Sequence, residues 1–222
     1  FVLPILLFLL SWSELSAQYD TDVFMWRGRQ ALSDGKYAQA IEQFNILSRI
    51  DTANYWSFFF RGIAKYNLGD YRGAHNDFDR SVRINPVFTN GYHYRAITES
   101  QAGNYDQAFR DFDKALQLRP GLPGIYFSRG VTNFLSRKFE DAVSDFDFYI
   151  KKEPRDPAAY LKRGASWLFL ADTTNALADY NHAIRLDRFD PEGFIRRARI
   201  YSDRKQFDEA ISDLDNAIAL DS

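Results

Sequence analysis

Histidine and cysteine are the side chains that most often supply acid–base, nucleophilic or metal chemistry, and this sequence arranges neither for that purpose. His75, His93 and His182 are far apart and form no His-x-x-x-His pair, and the chain has no cysteine. The segment Gly28–Lys36 has its two glycines too far apart for a phosphate-binding loop, and Tyr37 replaces the loop's Ser or Thr. The sequence therefore predicts no catalytic residues, no metal and no other cofactor.

Composition and charge narrow the class of partner. A hydrophobic fraction of 45% with 17% aromatic residues predicts a folded chain that packs many large rings. The 28 basic and 30 acidic residues are spread along the whole length. A protein that follows a phosphate backbone needs a concentrated basic surface, so we expect no nucleic-acid partner.

The beginning of the sequence differs in character from the rest. Phe1–Leu10 is apolar throughout, and a short polar stretch leads from it to the small residue Ala17. This arrangement is typical of a secretory signal peptide at 1–17, cleaved after Ala17, with its basic segment missing; a truncated membrane anchor is the alternative. We therefore predict an exported chain, periplasmic or envelope-associated in a bacterium, with no membrane insertion of the mature protein.

The remainder, 18–222, repeats itself every 34 residues. One series of small residues is Gly28, Gly62, Ala96, Gly130, Gly164 and Ala198, and a second is Ala40, Ala74, Ala108, Ala142, Ala176 and Ala210. Small residues at these two positions let two antiparallel helices approach closely. The predicted units begin at Thr21, Tyr55, Thr89, Pro123, Pro157 and Pro191.

Residues at the predicted helix ends support the same division. Glycines that tolerate the left-handed conformation follow three first helices, and short polar side chains that can cap a helix precede three of them. The glycines are Gly35, Gly69 and Gly103, and the capping residues are Asn54, Asp156 and Asp190, with Pro157 and Pro191 in first turns.

These repeated positions resemble the tetratricopeptide repeat family over Thr21–Ser222. The resemblance implies an all-α fold, a right-handed α-solenoid of six 34-residue helix-turn-helix repeats with the first helices lining a concave face. It also implies a protein or peptide partner. The sixth unit ends at repeat position 32, so we predict that it is truncated.

Positions 7 and 11 depart from the family pattern, since position 7 carries Arg where Leu is usual and position 11 carries no Tyr before Tyr201, and two series of charged residues recur along the chain. Position 7 is Arg in every unit, and position 23 is Asp in five units. The arginines are Arg27, Arg61, Arg95, Arg129, Arg163 and Arg197, and the aspartates are Asp77, Asp111, Asp145, Asp179 and Asp213. A residue needed in every unit serves the unit, so we predict a ladder of structural ion pairs inside or between hairpins.

Partner binding is predicted on the concave face of the first helices. The predicted partner-binding residues are Met25, Trp26, Arg29, Trp56, Phe59, Phe60, Ile63, Tyr66, His93, Tyr94, Phe127, Phe134, Lys162, Arg196 and Arg199. Ile97, Val131, Leu161, Leu168 and Ile195 share the same positions. The set is aromatic in the first four units and basic in the last. An exposed apolar stripe in a groove favours binding, whereas close packing of neighbouring helices would place several of these rings in the core.

The predicted function is that of a non-catalytic scaffold or adaptor that binds apolar or aromatic peptide segments of partner proteins along this groove. Met25, Arg29 and Phe60 stand where some family members carry the Lys and Asn clamp for an acidic chaperone tail, so that ligand is not expected. One alternative is the adaptor region of a longer envelope protein whose activity lies beyond residue 222. A second is an RNA-binding helical-repeat protein, which the aromatic groove disfavours.

Overall fold

A computed structural model describes residues 21–220, and the predicted signal segment 1–17 lies outside the described residues. Residues 21–220 form twelve α-helices and contain no strand. The helices are α1 (Thr21–Ser33), α2 (Tyr37–Ile50), α3 (Tyr55–Asn67), α4 (Tyr71–Ile84), α5 (Thr89–Gln101), α6 (Tyr105–Leu118), α7 (Pro123–Leu135), α8 (Phe139–Lys152), α9 (Pro157–Phe169), α10 (Thr173–Leu186), α11 (Pro191–Asp203) and α12 (Phe207–Leu220).

Consecutive helices pair in antiparallel fashion, which gives one hairpin for each 34-residue repeat and confirms the all-α helical-repeat fold. Each first helix begins at the residue that opens its repeat. The hairpins are grouped into two compact units, which we call unit 1 (up to Lys114) and unit 2 (from Ala115), and the boundary falls within α6.

The predicted capping residues act as helix caps. The side chain of Asn54 accepts a hydrogen bond from the Ser57 amide, and Asp156 and Asp190 accept bonds from the amides two residues ahead. Asp70 and Asp172 cap second helices in the same way, although the sequence had not singled them out. These bonds satisfy amides that a helix start leaves without a partner.

The turns between the two helices of a hairpin require a left-handed residue. In unit 1, Gly35, Gly69 and Gly103 occupy that position with φ of 71°, 79° and 80°, as predicted. In unit 2 the same position holds residues with side chains, namely Arg137, Ala171 and Lys205, with φ of 64°, 60° and 60°. A Cβ makes this conformation unfavourable, so the unit 2 turns carry a local strain that the unit 1 turns avoid.

The core lies between the two helices of each hairpin. A ring from the second helix packs against the small residue of the first, and Phe44, Phe78, Phe146 and Tyr180 are fully buried in this way. At Gly62, a Cβ would lie only 2.7 Å from Cε1 of Phe78. The close approach predicted from the two small-residue series is therefore real, and it uses the space that a side chain would fill.

Candidate partner-binding surfaces

A guanidinium–carboxylate pair links the two helices of five hairpins. Arg61 donates through Nη2 to Oδ1 of Asp77 at 2.5 Å and through Nε to Oδ2 at 2.9 Å. The same two-point bond joins Arg95 to Asp111, Arg129 to Asp145, Arg163 to Asp179 and Arg197 to Asp213. This confirms the predicted ladder of ion pairs, and each member has the paired geometry that makes Arg–carboxylate bonds strong.

Four of these arginines also donate to the hairpin that precedes them. The bonds run from Nη1 of Arg61 to Asn45 at 2.8 Å, of Arg95 to Asp79 at 2.7 Å, of Arg163 to Asp147 at 2.5 Å and of Arg197 to Asn181 at 2.5 Å. Each guanidinium further lies over the aromatic ring at position 4 of its own helix, as Arg61 does over Phe58 at 5.2 Å. Contacts within the protein therefore engage the guanidinium groups of these arginines.

At these pairs, burial and the charge of the partner shift the pKa of each group in opposite directions. Burial raises the pKa of the Asp145 carboxyl, and the hydrogen bonds and charge supplied by Arg129 and the bond from Asn133 oppose that rise. Burial alone would lower the pKa of Arg163, but the hydrogen bonds and charges of Asp179 and Asp147 raise it instead. A pair removed from water in this way depends on both partners, because either one left alone would be an unpaired buried charge.

In unit 1 the first helices α1 and α3 present an ordered aromatic surface. The Trp56 ring is 37% exposed and stacks on Phe60, with ring centroids 5.5 Å apart and planes 19° from parallel. The guanidinium of the exposed residue Arg29 lies 5.4 Å from the Phe60 centroid. We call these three residues the aromatic strip. It unites three of the predicted partner-binding residues.

Two further predicted residues lie beside the strip on α1. Trp26 is 65% exposed, whereas Met25 is partly buried and packs against the core of the first hairpin. Together with Arg29 they line an open depression of about 490 Å³. Of these side chains of α1, Trp26 exposes the most apolar surface to solvent.

Phe59 does not belong to the exposed surface, and the expectation for it is corrected. Only 4% of the residue is exposed, because the Phe88 ring packs on it edge-on at 4.9 Å and the Tyr94 ring at 5.3 Å. Phe88 comes from the turn before α5, and it is buried in the same cluster as Phe59. Ile63 and Tyr66 are partly buried and pack against the same cluster, as Tyr94 does.

The remaining unit 1 positions are intermediate between core and surface. His93 is partly buried, with its ring centroid 5.6 Å from Tyr94 and 6.1 Å from Phe112, and Ile97 is partly buried as well. His93 thus packs among rings. The aromatic rings on the first helices of unit 1 are therefore mostly the outer layer of the core, with the strip at its solvent edge.

In unit 2 the corresponding positions are more varied. Phe127 is partly buried against Phe146 and against Tyr149, whose phenol donates to Asp156 at 2.8 Å. Burial and that bond raise the pKa of Tyr149 to about 12, which keeps its hydroxyl protonated and holds the ring in place. Val131 and Leu168 are partly buried. Position 5 is buried in the fifth hairpin, where Leu161 is 8% exposed and joins the core, contrary to the expectation of a groove position.

The predicted basic residues of unit 2 lie at the surface. Lys162 and Arg199 are exposed, and Arg196 is partly buried and forms an ion pair with Glu192 one turn away. Ile195, the residue before Arg196, is 45% exposed. The first helices of the last two hairpins thus present charged side chains together with the exposed apolar residues Ile195 and Phe169.

An aromatic patch in unit 2 was only partly predicted. Phe134 was a predicted site residue, and its ring lies 5.6 Å from Phe139 and 5.4 Å from Phe169. Phe139 and Phe169 stack at 4.6 Å with planes 7° apart, and Phe169 is 61% exposed. Aromatic residues at repeat positions 12, 17 and 13 of neighbouring hairpins could have indicated this patch, because the turn end of each hairpin brings those positions together.

The described residues contain neither a cluster of metal ligands nor a membrane-spanning helix. Residues 21–220 hold no group of three or more His, Cys, Asp or Glu side chains placed to bind a metal ion. Over the same range, no helix has the length and apolar character needed to cross a membrane.

Helical hairpins of constant length, tied by repeated side-chain pairs and differing in surface residues, define a modular helical-repeat protein. The sequence profile of the tetratricopeptide repeat family matches residues 89–122, 136–191 and 191–222. The chain belongs to the tetratricopeptide repeat family, as its resemblance predicted. Repeats of this kind support a role as a protein-interaction scaffold.

Solved structures of bacterial proteins share the fold. A tetratricopeptide repeat protein from Parabacteroides merdae is 19% identical with a TM-score of 0.73, over 90% of this chain and 78% of that one. The C-terminal part of a repeat-containing protein from Cytophaga hutchinsonii is 18% identical with a TM-score of 0.71, over 89% and 78%. MamA from Desulfovibrio magneticus is 17% identical with a TM-score of 0.69, over 76% and 95%. No curated protein sequence matches the chain.

Proposed function

We propose that this scaffold binds apolar or aromatic peptide segments of partner proteins, and that the aromatic strip of unit 1 is the main contact. The observation that carries the proposal is the arrangement of Trp56, Phe60 and Arg29. In the unbound chain the Trp56 ring stacks on the Phe60 ring and the Arg29 guanidinium lies over Phe60. Trp56 and Arg29 are exposed to solvent. Rigid aromatic anchors lose little conformational freedom on binding, which favours affinity.

The chemistry of the strip selects its ligand. The Trp56 indole and Phe60 ring offer a flat apolar surface on which an aromatic or aliphatic side chain can pack. Arg29 adds donors at the edge of that surface and can bond a carbonyl or carboxylate oxygen of the bound segment. An extended segment or a helix with apolar residues on one side would satisfy both requirements.

A selection from displayed random peptides tests this proposal. The 222-residue chain serves as bait, and the Trp56→Ala chain serves in a parallel selection. We expect the parent chain to enrich peptides with aromatic or large aliphatic residues and the variant to lose that enrichment. The proposed contact would be refuted if the parent chain enriched peptides that lack apolar residues. It would also be refuted if both chains enriched the same peptides.

We also propose that the chain works outside the bacterial cytoplasm. The apolar run Phe1–Leu10 and the small residue Ala17 support this proposal. Expression of the complete gene in a bacterium should yield a mature protein that begins at Gln18. An intact N-terminus on a protein recovered from the cytosol would contradict it.

A further inference from the structure

A histidine–glutamate pair joins the second and third hairpins, inside unit 1. His75 lies on α4, and its Nδ1 is buried against Oε1 of Glu99 on α5. His75 stands at repeat position 21, which is apolar in the other five hairpins, namely Ile41, Phe109, Val143, Leu177 and Ile211. The second hairpin therefore carries a titratable residue where the repeat otherwise has an apolar one. We call the His75–Glu99 contact the junction pair.

Glu99 is the buried member of the junction pair. The residue is 7% exposed, and its Oε2 accepts a hydrogen bond from Nδ2 of Asn104 at 2.8 Å. Within residues 21–220, His75 is the only cationic side chain in ion-pair contact with this carboxylate. A buried carboxylate without a positive charge beside it is unfavourable. The Glu99 carboxylate therefore depends on the charge of His75.

The other charged groups of α3, α4, α5 and α6 near the junction do not replace His75. Two sets are engaged with one another, Arg61 and Lys65 with Asp77, and Arg83 and Arg95 with Asp79 and Asp111. The exposed members are Asp70, Arg72 and Arg80 on α4 and Asp106 and Arg110 on α6. Arg110 donates to Gln107 at 2.7 Å. The charge balance of Glu99 is therefore set by His75.

Water can reach the junction pair from two sides. The His75 side chain is 36% exposed, so its imidazole can gain or lose a proton while the hairpins stay folded. Glu99 lines an open depression of about 480 Å³ together with Asn104, Asp106 and Arg110. This depression gives the carboxylate a path to solvent when the junction loosens.

We propose that the junction pair makes the contact between the second and third hairpins sensitive to pH. Histidine is the side chain whose charge normally changes between about pH 5 and 8. Protonated His75 balances the charge of Glu99 and holds α4 against α5. When the imidazole loses its proton, Glu99 keeps its negative charge without that balance. The stabilisation is therefore present on the acidic side of this range and is lost as the pH rises.

The effect reaches the aromatic core of unit 1. Across the same junction, the Tyr94 ring of α5 packs on Phe59 at 5.3 Å and on Phe78 at 5.9 Å. A looser junction separates these rings and gives water or an apolar ligand access to them. Acidic solution thus keeps the second and third hairpins closed on each other, and alkaline solution loosens them. This inference does not depend on peptide binding by the aromatic strip.

Thermal unfolding of the 222-residue chain at about pH 5.5 and about pH 8 tests the proposal. His75→Gln removes the charge, and His75→Lys keeps a positive charge at both pH values. At the lower pH the parent should melt above His75→Gln, and this advantage should shrink by about 2–4 °C at the higher pH. The His75→Lys chain should keep its advantage at both. Because His75 is partly exposed, both variants should fold.

His182→Gln is the matched control for loss of a histidine. His182 lies on α10, and its ring stacks on Tyr160 and contacts Arg185 at 3.0 Å. No carboxylate among the described residues forms an ion pair with it, so the His182→Gln chain should respond to pH as the parent does.

Hydrogen exchange locates the effect in the chain. After correction for the intrinsic pH dependence of exchange, amides of α5 near Glu99 should exchange about fivefold faster at the higher pH, whereas those of α9 should not change. In the His75→Gln and Glu99→Gln chains, the α5 amides should exchange alike at the two pH values. The proposal would be overturned if His75→Gln or His75→Lys showed the parent's pH response. It would also be overturned if α9 responded as strongly as α5.

Discussion

Unit 1 and unit 2 are built from the same hairpin, but they differ in the residue at the tight turn and in the side chains that the first helices expose. At the tight turn, unit 1 places Gly35, Gly69 and Gly103, whereas unit 2 holds residues with side chains in the same left-handed conformation. On the first helices, unit 1 presents aromatic rings that merge with its core, whereas the last two hairpins of unit 2 present Lys162, Arg196 and Arg199.

The difference separates framework from surface. The Arg–Asp pair occurs in five of the six hairpins, and a buried ring at position 24 occurs in both units at the same repeat position. The turn residue and the outward positions of the first helices vary, because the hairpin closes without a particular side chain there. Only the variable residues, at the turns and on the outward side of the first helices, can therefore set a ligand preference. On the first helices of unit 1 these residues are aromatic.

Phe59→Ala should give the largest effect, because it removes a ring that the structure places in the unit 1 core. The ring is 4% exposed, and truncation of a buried Phe costs about 3–5 kcal/mol of unfolding free energy. Urea unfolding followed by circular dichroism measures it. Leu68→Ala, which shortens a side chain that is 55% exposed on the residue after the same helix, should change stability by less than about 1 kcal/mol. Equal losses from the two variants would mean that Phe59 is a surface residue, as the sequence predicted.

Asp145→Ala should have the next largest effect and test the framework of unit 2. The substitution leaves Arg129 without its two-point partner and Asn133 without its acceptor. We expect a loss of about 2–3 kcal/mol, less than for a fully buried pair because the Arg129 side chain is 24% exposed. Thermal unfolding measures the loss, with Asp141→Ala as an exposed carboxylate control on the same helix. A variant that melts like the parent and binds peptide less well would assign the ladder to the binding site.

Ala171→Gly should have the smallest effect, and its sign is opposite. Ala171 has φ of 60°, so removal of its Cβ relieves the left-handed strain and should stabilise unit 2 by about 1 kcal/mol. The reverse change in unit 1, Gly69→Ala, should destabilise by a similar amount, because Gly69 has φ of 79°. Chemical denaturation of both variants checks the pair. Shifts of the same sign would show that turn strain does not distinguish the units.

Most of the framework was predictable from the sequence because each repeated position answers a local need. The helix starts, the glycine turns at Gly35 and Gly69 and the Arg–Asp pairs all follow from a 34-residue period with caps and charges in fixed register. The second acceptor of four of the arginines was missed, since position 25 is Asn in some units and Asp in others, as is typical of a solvated residue.

The exposed surface was less predictable, because exposure depends on residues outside the repeat pattern. Phe88 comes from a turn and covers Phe59, which no helix periodicity reveals. The patch of Phe134, Phe139 and Phe169 likewise needs three different repeat positions to meet at the turn ends. Which of two neighbouring aromatic residues faces water is a property of packing, and the sequence pattern assigned the same side of the helix to both.

Isothermal titration of a selected peptide against the parent, Trp56→Ala and Leu68→Ala chains tests the central claim most directly. Loss of an aromatic anchor commonly costs about 2 kcal/mol of binding, so Trp56→Ala should weaken the peptide about thirtyfold while its circular dichroism stays helical. Leu68→Ala should bind like the parent. A Trp56→Ala chain that is folded and binds the peptide with the parent's affinity would contradict the claim that the aromatic strip is the partner-binding surface.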